Sequence, residues 1–255
     1  SGNLKKALKS DFGGGGSSSL SGLTDATTAS TLANGTNVIT WNWSGLSAGT
    51  KGLIFGGTDI LVNGITIGVG KNQNTSNVAI GDNALNNNIS GFYNTAIGRG
   101  AMYYLNTGNY NTAIGPEALN KLTTGSVNTA IGESSLGSLT TGTNNIAIGR
   151  QSLISTIAGA DNIGIGDFAL TSMGTAYSNV AIGKEAMYYL NTGNYNVAVG
   201  RLAFVNVKGS NNTGIGYNVG SNLTTGTNNT IIGFNTGLGI TTGGKNTIIG
   251  ANVSG

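Results

Sequence analysis

Residues 111–127, NTAIGPEALNKLTTGSV, and residues 128–144, NTAIGESSLGSLTTGTN, decide the fold. Laid over each other they agree at Asn-Thr-Ala-Ile-Gly, at Leu119 and Leu136, at Leu122 and Leu139, and at the closing Thr-Thr-Gly. The Asn-x-Ala-Ile-Gly start recurs at Asn77, Asn94, Asn111, Asn128, Asn145, Asn162, Asn179, Asn196, Asn212, Asn229 and Asn246. The spacing is 17 residues, except for 16 between Asn196 and Asn212, where one residue is deleted near Lys208. Starts at so constant a period mark a repeat architecture.

The fixed positions carry the physical reading. The second position is Val, Thr or Ile throughout, and the fourth is Ile, or Val199 in one unit. Side chains two apart share one face of a strand. The pattern therefore predicts a short strand per unit, with Ile and Leu stacked as continuous internal ladders. The third position is Ala in most units, Gly at Gly164 and Gly214, and Ile at Ile231 and Ile248. It would lie on the opposite side, small enough to let another backbone approach. A second apolar group, such as Ala118, Leu119 and Leu122, predicts a second strand in each unit.

The fifth position is Gly without exception: Gly81, Gly98, Gly115, Gly132, Gly149, Gly166, Gly183, Gly200, Gly216, Gly233 and Gly250. A positive φ, or a backbone contact too close for a Cβ, accounts for such a residue. The repeated Asn has two readings. It can form a ladder of stacked amides that also bonds the corner backbone, or it can coordinate a ligand or ion. One Asn on every coil fits a ladder better than a site. Helices do not fit units with several Gly and β-branched residues and no 3.6-residue period.

The fold expected is therefore all-β: a parallel β-solenoid, a β-roll or β-helix, of about eleven 17-residue coils over residues 77–255. Residues 1–35 hold a short amphipathic helix, SGNLKKALKSDF, followed by the Gly/Ser-rich linker GGGGSSS and a stretch of little periodicity. Residues 36–76 read as a β-rich capping region. Trp41 and Trp43 share one strand face there and are expected to close the first coil, since solenoids need an atypical terminal unit.

Composition excludes several classes of function. Charged residues make up 8% of the chain, against ~25% in ordinary globular domains. Cys and His are absent, which removes thiol chemistry, imidazole metal sites and any Ser-His-Asp relay. The net charge is +3, with no basic stripe for nucleic acid, and no apolar run reaches the ~18 residues of a membrane span. Glu117 and Glu133 could approach on adjacent coils, but chance proximity explains them better than glycosidase chemistry. A Walker-like string, GITTGGKN at 239–246, has Asn246 where Ser or Thr is required. No catalytic residue, cofactor or metal site is expected, and the chain reads as a non-enzyme.

Units such as Asn111–Gly115 with Ala118 and Leu119, and Asn128–Gly132 with Leu136, resemble the "NTAIG…AL…TTG" repeats of bacteriophage tail fibres and related virion appendages. They are also similar to the "SVAIG" repeats in head domains of trimeric autotransporter adhesins. The resemblance covers about residues 63–255. It implies a homotrimer of β-rolls or interlocked β-helices at the distal part of an appendage, working with other virion or appendage proteins. The period of 17 departs from the shorter adhesin repeat, and no coiled-coil stalk or membrane anchor is visible, which favours the virion over the bacterial cell surface. The resemblance thus implies a structural and adhesive rod of a tail fibre that contacts a host receptor. A bacterial trimeric adhesin head is the alternative. An ice-binding solenoid is a third reading, raised by Thr123, Thr140 and Thr224 in register, but that ladder is interrupted at Ser90, Asn106, Ala158 and Asn191.

Receptor specificity must come from residues that break the pattern. AMYYLNTGNYN occurs at 101–111 and again at 186–196, five periods later. Tyr103, Tyr104, Tyr110, Tyr188, Tyr189 and Tyr195 are therefore candidates for two equivalent receptor-binding patches. Exposed rings beside Asn suit a cell-surface glycan. The competing reading is that these rings pack corners or fill the trimer interface.

Overall fold

The computed structural model describes residues 60–62, 65–70 and 76–254. All of them lie in the compact unit Phe55–Gly255. The helix and linker expected within 1–35, and Trp41 and Trp43, lie outside the described residues.

Strand order in the single sheet is chain order. A hairpin of β1 (Ile60–Val62) and β2 (Ile65–Gly68) is antiparallel, and β2 pairs antiparallel with β3 (Val78–Ile80). From there every pairing is parallel: β4 (Thr95–Ile97), β5 (Thr112–Ile114), β6 (Thr129–Ile131), β7 (Ile146–Ile148), β8 (Ile163–Ile165), β9 (Val180–Ile182), β10 (Val197–Val199), β11 (Thr213–Ile215), β12 (Thr230–Phe234) and β13 (Thr247–Ala251). Equivalent residues face each other, as in Thr112 with Thr129, Ala113 with Ala130 and Ile114 with Ile131. No helix occurs among the described residues. The described residues form an all-β parallel solenoid with one repeat per coil.

The 16-residue coil keeps this register, with Val197 opposite Thr213. The lost residue comes out of a turn. In a full coil the N–H groups of Thr123 and Thr124 both donate to the Thr140 carbonyl; in the short coil Lys208 and Gly209 both donate to that of Thr224.

The invariant Gly serves both purposes expected of it. Gly132 has φ +132°, and a Cβ there would lie 2.6 Å from the carbonyl oxygen of Gly149 on the next coil.

Two expectations are corrected. The first is the second strand. After the Gly corner the chain runs through successive turns, with Glu117 at φ 59° and Leu119 at φ 50° in the left-handed region. Hydrogen bonds alternate in direction: Glu117 N–H donates back to Arg99 O at 2.9 Å, and Leu119 N–H forward to Ser135 O at 3.0 Å. Left-handed non-Gly residues cost of order 1–3 kcal/mol each, and here burial of the Leu and the coil-to-coil bonds offset that cost.

The second correction is the direction of the strand faces. The third-position residues point inward: Ala96, Ala113, Ala130, Ala147, Ala181 and Ala198 are all fully buried. The second- and fourth-position side chains point outward and stay half-buried or exposed. Volume is the reason. The interior is thin, and the third position meets the eighth and ninth positions of the coil before. A Cβ on Gly164 would sit 2.7 Å from Ser152 Oγ and 3.2 Å from Leu153 Cδ1. Ala is the residue that fits against a buried Leu or Met. Where the ninth position enlarges to Phe204, the next coil shrinks to Gly214 and Gly220, each of whose missing Cβ atoms would lie within 2.7 Å of the ring. Where the ninth position is Gly220 or Gly237, Ile231 fills the space. The remaining core comes from columns such as Ala101, Ala118, Ala169 and Ala186, and Leu105, Leu122, Leu139 and Leu190.

Candidate functional site

The repeated Asn residues line the inside of the corner that precedes each strand. Asn77, Asn94, Asn111, Asn128, Asn145, Asn162, Asn179 and Asn196 are all buried. From Asn111 to Asn196 each amide is saturated by the fold. Asn111 Nδ2 donates to Gly125 O at 2.9 Å and to Asn94 Oδ1 at 3.1 Å, and Asn94 Oδ1 also accepts the Asn111 backbone N–H at 2.9 Å. The geometry is that of a structural ladder, which leaves these amides no lone pair aimed at an external ligand.

Among the described residues charged side chains sit mainly at the solvent-facing sixth and seventh positions, where six of them form three pairs across or along coils. Arg99 meets Glu117 at 3.3 Å, Arg150 meets Asp167 at 4.0 Å, and Lys184 meets Glu185 at 3.7 Å. Glu117 is thus turned to the Arg99 coil, away from the Glu133 coil. Arg150 also lies 4.6 Å from the centroid of the Phe168 ring. Among the described residues no cluster of three or more His, Cys, Asp or Glu is placed to hold a metal. Among the same residues no helix is long and apolar enough to cross a membrane.

The sheet presents a continuous outer face. Along β3 to β13 its second and fourth positions are Val, Thr or Ile at every coil, without one charge. Ile114, Ile131, Ile146, Ile148, Ile182 and Ile215 are each at least 36% exposed, and Val78 42%. Exposed aromatics border this face at the two positions before the repeated Asn in four coils, at Phe92 and Tyr93, Tyr110, Tyr177 and Tyr195. Tyr93 stacks on Tyr110 with centroids 5.2 Å apart, and Phe92 packs edge-on against both. At eleven strands spaced ~4.8 Å, each presenting ~10 Å of width, the face measures about 500 Å². That is at the upper end of the apolar patches monomers leave in water.

The Tyr candidates separate into two environments. Tyr103 and Tyr104 form an edge-on pair with centroids 4.7 Å apart, in the turn run, and Tyr188 and Tyr189 repeat it at 4.6 Å. Tyr110 joins the Phe92–Tyr93 cluster instead, and Tyr195 packs edge-on against Tyr177 at 5.3 Å. A hydrogen bond to the Tyr177 side chain, with the charge that hydroxyl can acquire, raises the Tyr195 phenol above its ordinary pKa. The two copies of the repeated string have different neighbours. Tyr104 borders a cleft of about 240 Å³ with Arg99, Glu117 and Asn120. Tyr189 borders a cleft of about 460 Å³ with Ser172, Gly174, Asn191, Asn206 and Lys208. Sequence reasoning missed this second cleft; its one signal was Gly174, in a column that elsewhere carries side chains. The Thr column is committed to the backbone: Thr123, Thr140 and Thr224 each donate a hydroxyl to a carbonyl of the next coil at 2.9 Å.

No protein-family model, curated protein or solved structure matches this chain.

Proposed function

We propose that this chain is a structural and adhesive rod of a virion tail fibre or similar surface appendage, assembled as a homotrimer and presented to a glycan on the host surface. The observation that carries the proposal is the uncharged Val/Thr/Ile face running the length of the sheet. A column of Ile, with Val199 in one coil, offers almost no coil-to-coil variety with which to recognise a foreign partner. A second copy in parallel register offers the same repeat and matches it coil for coil. Three such faces around one axis close a prism, and cyclic symmetry keeps every coil level with its equivalents. The small third-position residues, expected to let another backbone approach from the same chain or a neighbour, are occupied inside the coil, so the contact between copies falls to the outward second and fourth positions. The ion-paired and aromatic turn surfaces then remain outside, free for host contact.

Light scattering of the purified chain is expected to give three times the 25.5 kDa chain mass. Ile131→Lys, which places a charge in the middle of the face, is expected to give the monomer with an unchanged β-sheet circular dichroism signal. A wild-type chain that is monomeric at micromolar concentration would refute the assembly. Adhesion is tested separately, by binding of the labelled trimer to candidate host cells. Absence of binding to every cell type whose surface the parent appendage recognises refutes the adhesive role.

A further inference from the structure

The cleft beside Tyr189 owes its existence to a glycine that the fold does not require. In the column that opens the turn after the buried residues Leu139, Thr156, Met173, Leu190 and Val207, successive coils place Thr140, Ile157, Gly174, Asn191 and Lys208. Gly174 interrupts this row of side chains. Its backbone does not demand glycine, since a Cβ there would meet nothing closer than Asn191 Oδ1 at 3.7 Å and Asn191 O at 3.8 Å. This contrasts with the corner Gly residues, where a Cβ would strike backbone below 3 Å. The missing side chain leaves a cleft of about 460 Å³ floored by Ser172, Met173 and Gly174. The half-exposed Tyr189 ring, Asn191, Asn206 and Lys208 stand around it. Lys208 makes no ion pair among the described residues. It lies in the 16-residue coil, next to the deletion, where the turn is a residue shorter than elsewhere.

We propose that this cleft is a binding site for an acidic saccharide of one or two rings. Three features select that class. An aromatic face beside an open floor takes the apolar C–H face of a pyranose. Ser hydroxyls and Asn amides offer both donors and acceptors, as ring hydroxyls require. The ammonium of Lys208 supplies the one full charge, opposite in sign to a carboxylate and directed by a charge-assisted hydrogen bond. The volume lies within the ~300–1,000 Å³ of small-ligand sites. The cleft beside Tyr104 is smaller, about 240 Å³, and lined by Arg99, Glu117 and Asn120, and in the equivalent row Ile89 and Thr123 flank Asn106. The inference rests on the adhesive reading and narrows it to one of the two Tyr pairs and one ligand charge.

The test is saturation-transfer NMR of the full chain with galacturonate, glucuronate and N-acetylneuraminate at about 10 mM, against galactose and glucose as neutral counterparts; affinities in this range are weak and are multiplied by a trimer. At least one acidic sugar is expected to bind, at least about tenfold more tightly than its neutral counterpart. Gly174→Thr, which restores the side chain present at Thr140, should abolish that binding while leaving mass and circular dichroism unchanged. Lys208→Gln should remove the preference for the acid, and Tyr104→Ala should change nothing. If no acidic sugar binds, or if Gly174→Thr binds as well as the parent, the site does not exist. Cell binding by the same variants separates the two levels. A Gly174→Thr rod that adheres like the parent overturns the cleft and leaves adhesion standing. A parent rod that binds acidic sugar in solution but adheres to no cell supports the cleft and overturns the adhesive role.

Discussion

Replacing Asn128 by Ala tests the ladder where it is continuous on both sides. Asn128 Nδ2 donates to Gly142 O at 2.9 Å and to Asn111 Oδ1 at 3.1 Å. Its Oδ1 accepts from the backbone N–H of Asn145 at 3.0 Å and from Asn145 Nδ2 at 3.1 Å. Some of these groups have second partners. Asn111 Oδ1 keeps the Asn128 backbone N–H, and Asn145 Nδ2 keeps Gly159 O. Two groups lose a buried partner that only this side chain supplies: the Asn145 N–H and the Gly142 carbonyl. At 1–3 kcal/mol per buried unsatisfied group, the loss is about 4 kcal/mol. The same substitution at Asn246 is the internal control. Asn246 donates to Asn229 Oδ1 at 2.8 Å, but Asn229 Oδ1 also accepts the Asn246 backbone N–H. No group is orphaned, so about 1 kcal/mol is expected. Long repeat arrays need not unfold in one step, so the assay is local. Native-state hydrogen exchange at the Asn145 amide should accelerate on the order of 10³-fold in Asn128→Ala, the factor that corresponds to about 4 kcal/mol. Asn128→Leu, which excludes water from the gap, should do no better. An Asn145 amide that stays protected, or equal losses at the two sites, would refute the claim that the amides hold the coils together.

Other substitutions probe different parts of the coil. Gly132→Ala forces a Cβ to 2.6 Å from Gly149 O at φ +132°, and should cost about 3 kcal/mol or more in urea unfolding. Gly174→Ala, where the nearest atom is 3.7 Å away, should stay within about 0.5 kcal/mol. Phe204→Ala empties the ring volume that Gly214 and Gly220 accommodate, and should cost about 3–5 kcal/mol in thermal unfolding. The raised Tyr195 phenol favours the neutral form in the folded chain. Its contribution to stability is complete below the ordinary phenol pKa and is lost as pH rises through the folded value; in Tyr177→Phe, an NMR titration of the Tyr195 ring should show its midpoint falling toward the ordinary one.

What the sequence displayed clearly were the demands made by the backbone. Gly at the corner and Asn before the strand are fixed by φ, by a neighbouring carbonyl and by buried N–H groups, none of which varies from coil to coil. Those positions therefore repeat almost without exception, and the period, parallel stacking and all-β class follow from them. The direction of the faces was hidden because a three-residue strand alternates only once, and hydrophobicity alone favours burying Ile over Ala. The deciding information was volume. A Cβ on Gly164 would meet Leu153, Gly214 follows Phe204, and Ile231 fills the space at Gly220 and Gly237. Only an inward third position makes those sizes trade. The turn run was hidden for a different reason: Leu119 and Glu117 carry no mark of a left-handed backbone, since neither residue type prefers it.

The same geometry connects the fold to its proposed role. A strand of three residues buries one side chain and presents two, so every added coil lengthens the outer face by two residues drawn from Val, Thr and Ile. The core gains an Ala and up to two larger residues from the same coil. Exposed apolar surface therefore grows in proportion to length, and a long solitary stack would carry an ever larger patch into water. Covering that face with copies of itself removes the patch at any length, because the repeat matches itself at every level. The turn run, where Tyr189, Gly174 and Lys208 break the pattern, uses the sixth to thirteenth positions of the coil and none of those on the strand. Variation there leaves both the amide ladder and the Ile columns untouched. A rod built this way can change what it recognises by single substitutions in its turns, while the strand that holds the coils and the copies together stays constant.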